Sequence, residues 1–345
     1  MPTLIAPDPQ RPVERGPVPS FSILIAAYQV AEYIGAAIES ALAQTLPPHE
    51  IVVCDDGSTD DLDGALAPYV DRIVLVRQQN RGEGAAKNAA ANAATGDFLV
   101  ILDADDTYLP SRLAVLGEVA ARRPDIDIFA TDAWLEVGGR AVRRAYDETW
   151  SFEVGDQRRG ILERNFILGH AAVRRERFLA VDGFDDSMRT VADWDLWMRM
   201  ILDGSRAGFV PEPLARYRVR QGSLSTEQGP MLQGQLRCLE KARRLADLTP
   251  EEQATAAIAM ARRRRELALV EAREALRDGR PDARRRLLRV AFGGGYGART
   301  RLKAAASAAA PRRAGALLAE RDGAGFVGAA GVRVDGDERA AERSS

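Results

Sequence analysis

The apolar run Leu99-Val100-Ile101-Leu102 ends abruptly in Asp103-Ala104-Asp105-Asp106, three carboxylates packed into four residues. A β-forming run this short reads as a buried parallel strand. Acids crowded at its C-terminal end repel one another and resist desolvation unless a cation sits among them. Hard oxygen donors of this kind suit Mg2+ or Mn2+, which commonly bridges one or two carboxylates to a substrate phosphate. The open alternative is a solvated acidic turn, with Asp106 or Ser111 capping a helix that begins near Pro110. Two more apolar runs end in groups of matching chemistry, one in Ala26-Ala27-Tyr28 and one in Asp55-Asp56-Gly57-Ser58. An aromatic ring beside carboxylates could hold a nucleobase, by stacking and by accepting its N–H bonds. Alone, Asp-Asp-Gly-Ser is more readily a turn with a helix cap, a preference that three exits bearing matched groups reverse. In a parallel sheet all three exits share one edge, the edge at which open α/β sheets bind ligands.

The elements that must position these groups follow a strand–helix alternation. Strands are expected at 22–27, 51–54, 73–76 and 98–102, with helices at about 31–44, up to Tyr69, and at 84–94. Ile34, Ile38 and Leu42 fall on one face of the first helix. Strands separated by helices of this length make βαβ units and a parallel sheet. Further on, a helix is expected from Pro110 to about Arg123, a strand at 126–131, a hairpin at Gly138-Gly139, helices at 175–181 and 193–202, and two short strands at 207–210 and 215–219. Beyond Gln221 the composition shifts to Ala, Arg, Leu and Glu, which predicts helices near 230–246, 250–278 and 281–291. Residues 293–345 show no core-forming period and are expected to be a mobile tail with one helix near 312–321.

The whole composition sets bounds on function. A net charge of −2 gives no general case for binding nucleic acid or a membrane, and 46% hydrophobic content supports a packed core. Cys54 and Cys238 stand far apart, so neither a disulfide framework nor a zinc site is implied. The Pro-rich, acid-bearing start has no basic segment followed by an apolar one, and no apolar run is long enough to span a bilayer. The expected location is cytoplasmic. A nicotinamide dehydrogenase would need a Gly-rich turn after its first strand, where this chain has Ala-Ala-Tyr-Gln-Val-Ala-Glu. A nucleotidyltransferase would carry a Gly-rich phosphate loop near its start, and none is present.

Several motifs in one order resemble a known family. Phe21–Tyr28, Glu50–Asp60, Asn80-Arg81-Gly82 with Ala86-Lys87-Asn88, Asp103–Asp106, Gly183-Phe184-Asp185 and Asp193-Trp194-Asp195-Leu196-Trp197 together resemble the family-2 glycosyltransferases of the GT-A fold. No single motif is specific, but the set is, and it covers roughly residues 20–225. The resemblance implies an α/β, GT-A-type nucleotide-diphospho-sugar transferase fold over 20–225, with a mostly parallel sheet, a nucleotide-binding half at 20–110 and an acceptor half at 111–225. A disordered lead-in at 1–19 would precede it, and a helical extension at 226–292 and the tail at 293–345 would follow.

The same resemblance implies an inverting transfer of a sugar from a nucleotide-diphosphate donor, with uridine as the family's usual base, to a saccharide or lipid-linked acceptor hydroxyl. Cell-surface polysaccharide or glycoconjugate synthesis is the implied setting. Residue by residue, Ala26, Tyr28, Asp55, Asp56, Lys87 and Asp103 match nucleotide-binding positions, and Asp105 with Asp103 matches the Mn2+ or Mg2+ site. Asp193 matches the catalytic base, although helix capping would explain an Asp there equally well by spacing alone. Trp194 and His170 match the acceptor side. Three departures stand out. Ala192 replaces a Glu, Ala26-Ala27 replaces Pro-Thr, and Arg220 replaces a His, so that this position can pair with a diphosphate but cannot ligate a metal. Ala192 and Arg220 keep open a second reading, a sugar-nucleotide-binding or scaffold protein without catalysis. Retention of Asp103, Asp105 and Asp193 weighs against it.

The arginine-rich C-terminal helices leave two readings. They form either a basic surface for peripheral contact with the inner face of the membrane, or a packing surface against the catalytic domain or a second copy in a homodimer. Acids such as Glu266, Glu271 and Glu274 interleave with the arginines and aromatic anchors are scarce, which favours the packing reading.

Overall fold

The computed structural model describes residues 16–148, 150–219, 228–244 and 247–315, with the backbone of 326–327 and 333–334. It divides into two compact units, one ending at Arg218 and the other beginning at Val219. The first is a mixed α/β unit around a nine-stranded sheet, and the second is helical.

In the first unit, β1 (Phe21–Ala27), β2 (Glu50–Asp55), β3 (Val74–Arg77) and β4 (Phe98–Ile101) are parallel and lie side by side in the order β3-β2-β1-β4. The interior strands are buried almost throughout, which explains their unbroken apolar runs. Between them run α1 (Ala31–Leu42), α2 (Leu62–Leu66) with a 3-10 turn at Ala67–Tyr69, and α3 (Glu83–Ala93). Helix α1 buries Ile34, Ala37, Ile38 and Ala41, one stripe at helical spacing. Its free N-terminus is satisfied from a distance, as the Ala31 N–H donates to Asp60 Oδ2 at 2.8 Å.

The sheet then changes direction. The strand β8 (Ala172–Arg174) lies antiparallel between β4 and β6 (Ile128–Val137), and β6 pairs in parallel with the long β9 (Ala207–Arg218). At the far side β5 (Thr107–Tyr108) adds to β9, and β7 (Arg140–Arg144) forms the expected hairpin on β6 through Gly138-Gly139. The remaining helices of the unit are α4 (Arg112–Arg122), α5 (Gln157–Glu163), α6 (Arg175–Ala180) and α7 (Ala192–Leu202). Because β8 runs against β4, the residues just before it arrive at the edge where β4 ends, and the Ile101 N–H donates to the Ala171 carbonyl there.

Two expectations are corrected. The two short strands expected at 207–210 and 215–219 are the one strand β9, whose register with β6 shifts around Asp132, opposite Pro211 and Pro213. Proline cannot donate to a ladder, so the chain bulges instead of breaking. The region from 293 is not a tail as far as Gly315. After α8 (Gln228–Ala242), α9 (Pro250–Arg277) and α10 (Ala283–Phe292) comes α11 (Ala298–Ala309), whose Ala304 and Ala308 are buried against Leu287, Val290 and Leu276. Alanine at i and i+4 gives little hydrophobic signal yet allows close helix packing. The expected lead-in up to residue 15 and the last part of the helix expected at 312–321 lie outside the described residues. Among the described residues no helix is long and apolar enough to cross a membrane.

Candidate active site

The parallel register brings the three strand exits to one edge. The Asp56 N–H donates to the Ala27 carbonyl at 2.9 Å and the Leu102 N–H to the Leu24 carbonyl at 2.9 Å, so β1, β2 and β4 end in step. Ala26 and Tyr28 close β1, and Tyr28 is 47% exposed, leaving its ring free for contact at the rim. The turn after β2 is held by its own acids. Asp55 Oδ1 accepts the Ser58 N–H at 2.9 Å, and Arg77 approaches its other oxygen at 3.7 Å. Gly57 takes φ +75° there, and a side chain would sit 2.9 Å from the Asn80 nitrogen, so the turn requires glycine. Buried Asp56 accepts the Arg81 and Gly82 N–H groups at 2.9 and 2.8 Å and the Gln78 side-chain amide at 2.7 Å. It therefore shapes the loop leading into α3.

Helix α3 delivers Lys87, which is 6% exposed and lies between two carboxylates, Asp103 at 2.8 Å and Glu83 at 2.5 Å. Burial alone would lower the pKa of this amine, but Asp103 and Glu83 outweigh it and hold Lys87 firmly charged. Burial likewise pushes Asp103 up, and Lys87 more than reverses it, so Asp103 stays ionised. Asp106 differs. Burial, with Asp103 and Asp105 nearby, drives it well above the usual carboxylate range, while its Oδ1 accepts the Arg218 N–H at 2.7 Å. Neither Asp106 nor Ser111 caps α4 by its side chain, so the capping alternative does not describe this turn.

Asp103 and Asp105 offer hard carboxylate oxygens suited to Mg2+ or Mn2+. Among the described residues no group of three or more His, Cys, Asp or Glu is placed to hold an ion unaided. Two carboxylates completed by the oxygens of a phosphorylated ligand are a common donor set for these ions, so the residue types fit such a metal.

Across the edge, the first turn of α7 carries Asp193, the second residue of the helix. Val191, the N-cap, holds a left-handed φ of +53°, a conformation costly for a β-branched residue and typical of functional turns. The Asp193 Oδ2 accepts the Asn165 side-chain amide at 3.0 Å. Burial pushes its carboxyl up to about 6, against the Trp194 backbone N–H and the Lys87 charge, which pull it down, and Glu83, which adds to the rise. A carboxyl so placed can take a proton near neutral pH.

The other acceptor-side residues lie deeper than the sequence implies. Trp194 is 1% exposed and its indole N–H donates to the Ile161 carbonyl at 2.8 Å, so it anchors α7 in the core and presents no open face. His170 is 2% exposed; burial and the neighbouring Arg112 lower its pKa to about 3, leaving it neutral. Arg112, itself fully buried, donates to Thr131 and to the His170 carbonyl and lies 4.3 Å over the Tyr108 ring. Gly169 is the residue that borders Asp193, and a Cβ there would meet only Asp193 Oδ2, at 3.9 Å. Arg220 lies outside the described residues.

Some residues organise the site without having been assigned a place in it, although Asn88, Gly183 and Asp195 lie in the motifs that carry the resemblance. Asn88 grips the loop before α7 three times, donating to the Phe184 carbonyl at 2.8 Å and to Asp186 Oδ1 at 3.0 Å and accepting the Phe184 N–H at 2.8 Å. A side chain at Gly183, where φ is +62°, would collide with that amide. Asp195 accepts from Arg199 at 2.8 Å, and Arg199 donates onward to the Val181 and Gly183 carbonyls, bracing the same loop. Asn165 stands 28 residues before Asp193, too far for any local motif.

Known proteins share this architecture. The family model "Glycosyl transferase family 2" matches residues 22–180. The succinoglycan biosynthesis protein ExoO of Rhizobium meliloti (strain 1021) is 32% identical over 220 residues, 60% of this chain and 63% of that protein, so less than two thirds of the relative is spanned. The crystal structure of S. aureus TarS 1-349 in complex with UDP-GlcNAc superposes with a TM-score of 0.58 at 18% identity, covering 88% of this chain and 92% of that one. The mannosyltransferase PcManGT from Pyrobaculum calidifontis, in complex with GDP-Man and Mn2+, superposes at 0.53 with 20% identity, covering 91% of each chain. At those identities the structural likeness carries the fold. Through residues 22–180 the chain matches the glycosyl transferase family 2 model, and its first unit shares the GT-A-type α/β fold of these structures.

Proposed function

We propose that the protein is an inverting glycosyltransferase that moves a sugar from a nucleotide-diphosphate donor, a UDP-sugar, to an acceptor hydroxyl in polysaccharide or glycoconjugate synthesis. The observation that carries this reading is the raised carboxyl of Asp193, held by Asn165 and within the field of the Lys87 ammonium that also pairs with Asp103. A general base and a donor-side charge cluster then serve one reaction.

Tyr28, Asp55 and Asp56 bind the base of the nucleotide, Asp55 and Asp56 through the turn they shape. Lys87 and Asp103 line the diphosphate and ribose. Asp103 and Asp105, together with the donor diphosphate, would hold Mn2+ or Mg2+, which when bound neutralises charge on the leaving group. Asp193 takes the acceptor hydroxyl proton as the oxygen attacks the anomeric carbon. The bond from that carbon to the diphosphate breaks on the opposite face, and one displacement inverts the configuration. The UDP-GlcNAc bound by TarS, and the GDP-Man and Mn2+ bound by PcManGT, support a nucleotide-sugar donor and a divalent cation.

The test is incubation of the purified chain with UDP-sugars and Mn2+, reading free UDP and the anomeric configuration of the product by NMR. UDP release that is lost in Asp193→Asn, with an inverted product, is the expected result. A retained configuration, or turnover undiminished in Asp193→Asn, overturns the assignment of the base.

A further inference from the structure

The interleaving of acids with arginines that favours a packing role for the C-terminal helices holds for α9 and stops there. On α9, Arg262 pairs with Glu266 at 2.9 Å and Arg264 with Glu240 at 3.1 Å. From Ala283 to Gly315 the chain carries nine Arg and Lys and no Asp or Glu. Only Arg286 among them forms ion pairs within the described residues, with Asp282 and Glu271, both outside this stretch. Arg284, Arg285, Arg289, Arg299 and Lys303 are exposed, and none of them meets a carboxylate among the described residues. A protein of net charge −2 has thus concentrated unneutralised positive charge on one helical hairpin.

That hairpin also exposes apolar side chains that a solvated face has no use for. α10 and α11 pack together through Leu287, Val290, Ala291, Ala304 and Ala308. On their outward sides Phe292 is 77% exposed, Leu302 72% and Leu288 37%. Leu288 and Phe292 stand four residues apart on α10, with Arg285 and Arg289 among them on the same exposed side. Large apolar groups ringed by unpaired cations match the chemistry of a lipid headgroup boundary, where the rings and branched chains enter the acyl layer and the guanidinium groups meet phosphate. Nucleic acid would use the cations but leaves Phe292, Leu302 and Leu288 in water.

We propose that the outward face of the α10–α11 hairpin docks on an anionic lipid bilayer. The proposal does not rest on the transferase reading, and its test reads no catalysis.

The test is co-sedimentation of the full chain with vesicles of equimolar phosphatidylglycerol and phosphatidylcholine, against vesicles of phosphatidylcholine alone. The protein is expected to bind the mixed vesicles and not the neutral ones, and to release as salt rises from about 0.1 M to about 0.5 M. Arg285→Gln with Arg289→Gln should weaken binding by about fivefold per arginine. Phe292→Ser should weaken it at low and high salt alike, whereas Ile258→Ser, an exposed residue of α9, should leave it unchanged. Light scattering accompanies each sample. The proposal is overturned by an absence of sedimentation with the mixed vesicles, by equal binding to neutral ones, or by indifference to the Arg and Phe292 changes. It is equally overturned by a wild-type dimer that Phe292→Ser converts to monomer, since a second copy would then cover the face.

Discussion

Replacing Asp193 by Asn should make the protein more stable and less active at once. In the folded state burial raises the Asp193 carboxyl from 3.8 to about 6. At about 1.36 kcal/mol per pH unit, this rise costs up to about 3 kcal/mol once the group is ionised. Asp193 keeps some contact with solvent, so about 1–3 kcal/mol is expected. Between the unfolded value of 3.8 and about 6 the native protein holds a proton that the unfolded chain has released. Stability therefore falls as pH rises through that window, and the whole cost is present above it. Asparagine is neutral at every pH, matches the shape, and still offers Oδ1 to the Asn165 amide. For a unit of this size each kcal/mol moves the melting temperature by about 2–4 °C.

Scanning calorimetry of the two proteins checks the argument. Asp193→Asn should melt about 2–12 °C higher at about pH 8, and the gain should shrink toward zero near about pH 4. Nucleotide affinity should hold while transfer falls about 10²–10⁴-fold, the usual size of a general-base contribution. A variant no more stable at the higher pH, or one whose gain persists undiminished at the lower, would refute the claim that burial strains this carboxylate.

Further outcomes follow from the same contacts. In the wild type, kcat/KM should rise with pH up to a limb at about 6 and then level off, because only ionised Asp193 accepts a proton; a flat profile through that range would remove it as the base. Chelation by EDTA, or Asp105→Ala, should weaken UDP binding by about tenfold or more, since the acids and diphosphate then repel unscreened, and calorimetric affinity unchanged in both would sink the metal assignment. Asn88→Ala loses both bonds to the Phe184 backbone and should cost about 1–3 kcal/mol, read as a lower melting temperature. Gly169→Val should leave UDP affinity and melting unchanged while blocking transfer, because its side chain would fill the space beside Asp193 Oδ2; normal transfer would show that acceptors approach from elsewhere.

The nucleotide-side strands were legible to within a residue or two because their order follows from strict alternation and their apolar runs are continuous. The elements that complete the site were not. β8 is three residues long, too short to show a period, yet its antiparallel insertion is what brings Gly169 and His170 to the edge where β4 ends. Lys87 was visible only through the resemblance, since nothing in its own surroundings announces that Asp103, sixteen residues on, will be its partner. Trp194 looked available because it adjoins Asp193 in a motif. Helix geometry turns adjacent residues about 100° apart, so a carboxylate at the site and a core indole can be neighbours in sequence. The first compact unit closes with β9, which ends at Arg218.

The charge balance of the edge explains why one lysine matters to both halves of the site. Glu83, Asp103, Asp105, Asp106 and Asp193 bring five carboxyl groups to the neighbourhood of a single buried ammonium. Five full negative charges could not share so small a volume, and the fold resolves this without neutralising all of them alike. Asp106 is driven toward its protonated form by Asp103 and Asp105 on top of its burial, and spends its acceptor on the Arg218 backbone. Asp103 stays ionised because Lys87 touches it. Asp193 lies between these limits, lifted by burial and Glu83 but restrained by Lys87, Asn165 and the Trp194 N–H, so it stops near the value a base needs.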